Sequence, residues 1–130
     1  MWGDGLIAWR SGKASFAATS TCEAELQAAQ LGFDLGSGIH ALLADIRIAA
    51  SHCLFCDNEA AISIMHESMS WRTRHLAVKA AALRDHALSG DLQIAYAPSG
   101  EQRADGLTKQ LGVPELMALF RKQLRLKEEE

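Results

Sequence analysis

The chain has 130 residues, a hydrophobic share of 48% and a formal net charge of -3. This length fits one domain with its own core. The acidic balance excludes a protein that holds nucleic acid by overall charge, so any contact with a polyanion must be local or mediated by cations. The absence of an apolar run of about 18 residues excludes a membrane-spanning helix. Three cysteines and no leader-like start favour a reducing, intracellular location.

The first third of the chain predicts a hairpin arm followed by a long helix. Residues 6–9 are apolar and follow a Gly-Asp-Gly turn, which is typical of the second strand of a hairpin. The string Ser-Thr-Cys-Glu matches a capping box and predicts Ser20 as the N-cap of a helix that continues to residue 43. An interior glycine costs roughly 1 kcal/mol relative to alanine. We therefore expect a kink or a pause in this helix at Gly32, Gly36 and Gly38.

The rest of the chain alternates strands and helices. Its patterns predict strands at 52–57 and 91–98 and helices at 59–65, 75–88 and 115–126. The first of these strands is a continuous apolar run, which predicts burial on both faces, and the second alternates, which predicts burial on one face. Ser89-Gly90 marks the end of one helix, and Pro114 marks the start of another. This order predicts an α/β fold whose sheet includes parallel neighbours.

Three carboxylates are candidates for a shared site: Glu25, Asp57 and Asp105. Asp57 lies at the carboxyl end of a predicted strand, where α/β proteins commonly bind ligands. Glu23 and Glu25 are two residues apart and face different sides of the helix, and the capping box already gives Glu23 a structural role. Asp105 follows the last predicted strand, where the chain can turn back over the edge of the sheet.

Carboxylates that share a site stay ionised together only if divalent cations lie between them. Oxygen ligands suit Mg²⁺, and two such ions would activate water and stabilise the leaving oxygen of a phosphodiester. Two plainer roles remain open for these residues. Asp57 could cap the following helix by accepting from the amides of Glu59 or Ala60, and Asp105 could be a solvated helix residue.

The remaining polar residues also have competing interpretations. Cys53 and Cys56 have C-x-x-C spacing, but residues three apart on a strand face opposite sides, which favours a core role over a metal site. The histidines are scattered, and His75 is interpreted as a packing or hydrogen-bonding residue. Four basic residues form either a contact for nucleic-acid phosphates or a solvated helix face: Arg72, Arg74, Lys79 and Arg84.

Four strings, in order, resemble the ribonuclease H domain at the end of the polyprotein of copia-type LTR retrotransposons: LIAWRSGKASFAATSTCEAELQAA, LFCDNEAAISI, WRTRHLAVKAAALRD and LQIAYAPSGEQRADGLTKQL. The resemblance covers about residues 3–111. It implies a mixed sheet flanked by helices and an endonuclease that cuts the RNA strand of RNA/DNA hybrids with two Mg²⁺ ions, Mn²⁺ being the alternative. The implied metal ligands are Glu25 in CEAEL, Asp57 in CDN and Asp105 in ADGLTK.

The resemblance also implies partners and a location. The partners are an RNA/DNA hybrid, selected by its shape and its 2′-hydroxyls, and the reverse transcriptase domain of the same polyprotein, with no membrane. The implied location is the cytoplasm, a virus-like particle or the nucleus.

The chain departs from the family at its N-terminus. In the family an aspartate on the first strand precedes the hairpin at which this sequence begins, and Asp4, in the turn, does not replace it. We therefore expect residues 1–126 to form a ribonuclease H-like domain that lacks the first one or two strands, followed by a charged tail at 127–130. Because the absent aspartate is a metal ligand, we expect the isolated chain to be weak or inactive. The alternative is an inactive remnant that binds nucleic acid or a protein.

Overall fold

The computed structural model of the chain describes residues 6–13, 17–66, 74–104, 106 and 109–120, with the backbone alone at 75, 79, 119 and 120. Its elements are α1 (Thr21–Asp45), β1 (Cys53–Cys56), α2 (Glu59–His66), α3 (Arg74–Ser89), β2 (Gln93–Tyr96), a 3-10 turn (Ser99–Glu101) and α4 (Val113–Phe120). They divide between two compact units, one over residues 14–97 and one over residues 1–13 and 98–130. None of the described helices is long and apolar enough to cross a lipid bilayer. The predicted mixed α/β character is confirmed.

Helix α1 begins at the predicted N-cap, but the return contact of the glutamate goes to Thr19, one residue before the N-cap, instead of to Ser20. Ser20 has an extended backbone (φ -152°, ψ 161°), and its hydroxyl accepts a hydrogen bond of 3.1 Å from the Glu23 amide. Glu23 is 5% exposed, and its carboxylate accepts from the amide and the hydroxyl of Thr19 at 2.8 and 2.7 Å. The helix then continues without a break to Asp45, so the predicted pause at the glycines is wrong.

Two of the three glycines within α1 lie close to neighbouring side chains. A Cβ added to Gly36 would overlap the ring of His52, lying 2.7 Å from Cε1 and 3.2 Å from Cδ2. A Cβ on Gly32 would lie 3.4 Å from Leu54 Cδ1, and one on Gly38 would meet nothing within 4 Å. The close approach of α1 to His52 therefore explains the glycine at 36, and packing of the helix offsets its low propensity.

Strands β1 and β2 form a two-stranded parallel sheet within the described residues. The register pairs Cys53 with Gln93 and Cys56 with Tyr96, and a 3.0 Å hydrogen bond from Ala97 N to Cys56 O extends it. Parallel strands need a long crossover, which the segment containing α2 and α3 provides. The predicted parallel neighbours are confirmed, whereas a complete ribonuclease H-like sheet stays a prediction.

The two faces of β1 differ in burial. Cys56 is 4% exposed and Leu54 packs against the same buried cluster, but Phe55 is 58% exposed. The prediction of a covered strand is therefore wrong for one face. Helices α1 and α2 contact β1 on the side of Cys56, and alternation along a strand turns the intervening residue away from them.

The core of the unit over residues 14–97 lies where α1 and α2 meet the sheet and α3 packs against both helices. Gly90, with φ of 85°, ends α3 as predicted and lets the chain turn back toward β2. Leu92 then enters the core directly before β2, as its alternating pattern predicts. The buried apolar residues are Leu26, Ala29, Phe33, Cys56, Ala61, Met65, Leu76, Ala80, Leu83 and Leu92.

In the other unit, α4 begins at the predicted place, with Pro114 in its first turn. Leu116 N donates to Gly112 O at 3.0 Å, and the Glu115 carboxylate accepts from Gly112 N at 2.7 Å. The predicted end of this helix at residue 126 lies outside the described residues. No strand is assigned to residues 6–9, and the other arm of the predicted hairpin is not among the described residues, so the pairing of this segment stays a prediction.

Candidate metal-binding site

Asp57 is placed by the junction between β1 and α2. The chain bends at Asp57, directly after the strand, and α2 begins two residues later. Asn58 is the N-cap of α2, since its side-chain oxygen accepts from Ala61 N at 3.0 Å and its carbonyl from Ile62 N at 3.0 Å. The interpretation of Asp57 as the cap of this helix is therefore wrong, because the next residue, Asn58, occupies the N-cap position.

Glu25 is placed by the first turns of α1. Glu23 is turned into the capping interaction with Thr19, whereas Glu25 lies on the helix face that also carries Cys22 and Leu26. Leu26 is 1% exposed and anchors this face in the core. The structural role predicted for Glu23 is confirmed, whereas the role of Glu25 as a metal ligand stays a prediction.

The structure brings Glu25 and Asp57 together and adds a thiol to them. One ligand atom from each of Glu25, Cys56 and Asp57 lies within 4.8 Å of the other two, and this is the one such group of three among the described residues. Cys56 is buried, whereas the two carboxylates are partly exposed, so the group opens toward solvent from a buried base. Asp105, the third predicted carboxylate, lies outside the described residues.

Burial controls the protonation of the thiols at this group. It raises the pKa of Cys56, and the Glu25, Asp57 and Cys22 charges raise it further, whereas the hydrogen bond with Asn58 opposes them. Burial and the neighbouring Glu25 also raise the pKa of Cys22. Both thiols are therefore protonated at neutral pH unless a cation takes the place of the proton.

The donor set fits a divalent cation, with one unusual member. The carboxylates of Glu25 and Asp57 are the hard oxygen ligands that Mg²⁺ takes, whereas a thiolate suits softer ions. Sequence reasoning missed Cys56 as a member, because it compared Cys56 only with Cys53, as residues on opposite faces of an alternating strand, and assigned both to the core. The bend at Asp57 removes that alternation, and the helix start at residue 59 was the signal for it.

The predicted phosphate-binding residues differ in their surroundings. Arg84 is partly buried and its Nη2 donates to the carbonyl oxygen of Ile64 at 2.6 Å, which ties α3 to α2. Arg74 is exposed at the start of α3. Arg72 and the side chain of Lys79 lie outside the described residues. The bond to Ile64 gives Arg84 a structural role that does not involve nucleic acid.

Sequence reasoning also missed a cluster of aromatic rings that packs against α1, away from the site of Glu25. Phe33 stacks on His52 with centroids 5.3 Å apart and contacts His86 at 4.6 Å, and His40 stacks on His52 at 6.4 Å. Burial, followed by the nearby His40 and His86, lowers the pKa of His52. The rings line an open cavity of about 590 Å³. His66 is exposed, and the side chain of His75 lies outside the described residues.

Comparisons with known proteins give one kind of relative. The chain is 29% identical over 120 residues to the Transposon Ty1-JR2, Ty1-BL and Ty1-OR Gag-Pol polyproteins of Saccharomyces cerevisiae, an alignment that covers 90% of the chain. The chain spans 7% of the length of these relatives. No family model and no solved structure matches it. The chain is therefore similar to one part of the Gag-Pol polyprotein of a copia-type LTR retrotransposon.

Proposed function

We propose that the chain is the ribonuclease H-type endonuclease domain of a copia-type retrotransposon polyprotein and cuts the RNA strand of RNA/DNA hybrids. The observation that carries this proposal is the convergence of Glu25 and Asp57, whose ligand atoms lie within 4.8 Å at the carboxyl end of a parallel strand. Similarity to the Ty1 polyproteins over 90% of the chain supports the retrotransposon context.

The residues around the site restrain both carboxylates. Ser20 fixes the start of α1 shortly before Glu25, and Asn58 fixes the start of α2 directly after Asp57. Leu26, which follows Glu25, is 1% exposed, and Cys56, which precedes Asp57, is 4% exposed. Each carboxylate is therefore next in sequence to a residue that is held in the core. Such anchoring supplies the fixed geometry that a hydrolytic site needs.

The proposed cofactors are two Mg²⁺ ions, with Mn²⁺ as a substitute. When bound, such a pair supplies an activated water and stabilises the leaving oxygen of the phosphodiester. Glu25 and Asp57 would hold the ions, and Asp105, implied by the resemblance, would be the third carboxylate. The proposed products carry 3′-hydroxyl and 5′-phosphate ends.

The proposed substrate is recognised by charge and shape. Arg74 is exposed at the start of α3, where a phosphate could approach it, and Arg72 and Lys79 are its neighbours in the sequence. The 2′-hydroxyls along the minor groove would mark the RNA strand without base readout. The proposed partner is the reverse transcriptase domain of the same polyprotein, in the cytoplasm, a virus-like particle or the nucleus.

The test is Mg²⁺-dependent cleavage of an end-labelled RNA/DNA hybrid by this chain and by a chain extended upstream. We expect the extended chain to cut the RNA strand and Asp57→Asn to abolish cleavage. Asp45→Asn is the matched control, because this exposed carboxylate lies about 30 Å along α1 from Glu25 and should not affect the rate.

Two results would overturn the proposal. Cleavage that survives Asp57→Asn would mean that Asp57 holds no catalytic ion. An extended chain that binds the hybrid without cutting it would instead support an inactive remnant that acts as a binding module.

A further inference from the structure

The thiol of Cys56 distinguishes this group from a site made of oxygen ligands alone. Its Sγ and one carboxylate oxygen from each of Glu25 and Asp57 lie within 4.8 Å of one another. Around a tetrahedral Zn²⁺, with Zn–S near 2.3 Å and Zn–O near 2.0–2.2 Å, ligand atoms are about 3–4 Å apart. Small side-chain movements are therefore enough to close these three ligands on one ion.

A second thiol lies at the same place in the fold. Cys22 is one helical turn before Glu25 on the same face of α1, and it packs against the buried cluster that contains Cys56. The Sγ of Cys22 is not among the ligand atoms that lie within 4.8 Å of one another, so Cys22 would have to turn toward the group to complete the four ligands that a closed zinc site needs. Cys53 does not belong to this set, because it is three residues from Cys56 on the strand.

The hydrogen bonds of Cys56 also suit a metal-bound sulfur. The backbone N–H of Asn58 donates to Sγ at 3.5 Å, which is an interaction that a thiolate keeps and that stabilises its charge. The bond in which the thiol itself donates, to the Asn58 carbonyl oxygen, is long at 3.9 Å. Replacing the thiol proton by a cation therefore loses only the long hydrogen bond to the Asn58 carbonyl and retains the shorter one from the Asn58 amide.

We propose that Glu25, Cys56 and Asp57, joined by Cys22, bind Zn²⁺. Mg²⁺ takes octahedral oxygen ligands, so Zn²⁺ in this site would exclude it and block hybrid cleavage. The binding of Zn²⁺ stands on the donor set alone, whereas the block of cleavage rests on the proposed nuclease function.

Binding is tested with Cd²⁺ as the spectroscopic probe, by the near-ultraviolet absorption that a thiolate–cadmium bond produces. We expect the band in the unmodified chain and in Cys53→Ser, a band of about half the intensity in Cys22→Ser, and no band in Cys56→Ser. Loss of a ligand should weaken Cd²⁺ and Zn²⁺ binding by about tenfold or more. No band in the unmodified chain, or an equal band in Cys56→Ser, would overturn the proposal.

Glu25→Gln keeps the test decisive if Cys56→Ser fails to fold. This variant leaves all three thiols and the core in place, so circular dichroism should be unchanged while Zn²⁺ affinity, measured by competition with a chromogenic chelator, falls by about tenfold or more. Asp45→Asn is its matched control and should keep the full affinity. Equal affinity of Glu25→Gln and Asp45→Asn would contradict a mixed thiol and carboxylate site.

The two proposals fail separately. Added Zn²⁺ is expected to inhibit Mg²⁺-dependent cleavage of the hybrid by the upstream-extended chain, and Cys22→Ser should require more Zn²⁺ for the same inhibition. A Cys56-dependent Cd²⁺ band without any cleavage would overturn the nuclease and leave the zinc site standing. Cleavage that is indifferent to Zn²⁺, together with no Cd²⁺ band, would overturn the zinc site and leave the nuclease standing.

Discussion

The substitution Gly36→Ala tests the close contact between α1 and the ring of His52. In a helix interior, glycine to alanine stabilises by about 1 kcal/mol when the new methyl group has room. At Gly36 it does not, since the added Cβ would lie 2.7 Å from His52 Cε1 and 3.2 Å from Cδ2. Overpacking costs about 1–3 kcal/mol, which includes displacement of the ring from its stacking on Phe33, so the net change should be a loss of about 0–2 kcal/mol.

Gly38→Ala is the matched control, because its Cβ would meet nothing within 4 Å in the same helix. The free energy of unfolding of both variants is measured by urea denaturation followed by circular dichroism. We expect Gly38→Ala to gain about 1 kcal/mol and to exceed Gly36→Ala by about 1–3 kcal/mol. The double substitution Gly36→Ala and His52→Ala should recover the helix gain relative to His52→Ala alone. Equal stabilisation by Gly36→Ala and Gly38→Ala would refute the reasoning.

Three further predictions concern the helices and the ring cluster. Ser20→Ala removes the acceptor for the Glu23 amide and should lower the free energy of unfolding by about 1 kcal/mol in urea; an unchanged value would contradict the observed cap. Arg84→Met leaves the Ile64 carbonyl without its donor and should cost about 1–3 kcal/mol by the same measurement, whereas no loss would return Arg84 to a purely surface role. Burial lowers the pKa of His52 from its usual 6.5, so at mildly acidic pH the unfolded chain binds more protons than the folded one. The free energy of unfolding therefore decreases as the pH is lowered. Thermal denaturation should therefore show a lower Tm at about pH 5.5 than at about pH 7.5, and a smaller difference in His52→Asn; equal differences would contradict this assignment.

Local patterns predicted the elements that are specified locally. The N-cap at Ser20, the helix end at Gly90 and the helix start at Pro114 each depend on neighbouring residues, so the sequence alone was enough to predict them. Hydrophobic patterns likewise located β1 and β2. Features that depend on distant residues were not visible: the close approach of His52 to Gly36 joins residues that are 16 positions apart in the sequence.

The candidate site shows the same limit. Glu25 and Asp57 were found because one lies on the face opposite the capping glutamate and the other at a strand end. Cys56 was assigned to the core alone, because alternation along an ideal strand separates it from Cys53. Its approach to Asp57 follows the bend after β1. The exposure of Phe55 was missed for a related reason, since an apolar run does not reveal which of its faces a sheet leaves open.

The proposed function depends most directly on Glu25 and Asp57 acting as one unit in hydrolysis. The direct test is the rate of RNA cleavage in an RNA/DNA hybrid by the upstream-extended chain, measured for Glu25→Gln, Asp57→Asn and the double variant. Ligands of one metal site are not additive, so each single change should lower the rate by about 10³-fold or more and the double change should lower it no further. A single variant within about tenfold of the unmodified chain, or losses that multiply in the double variant, would contradict the shared site.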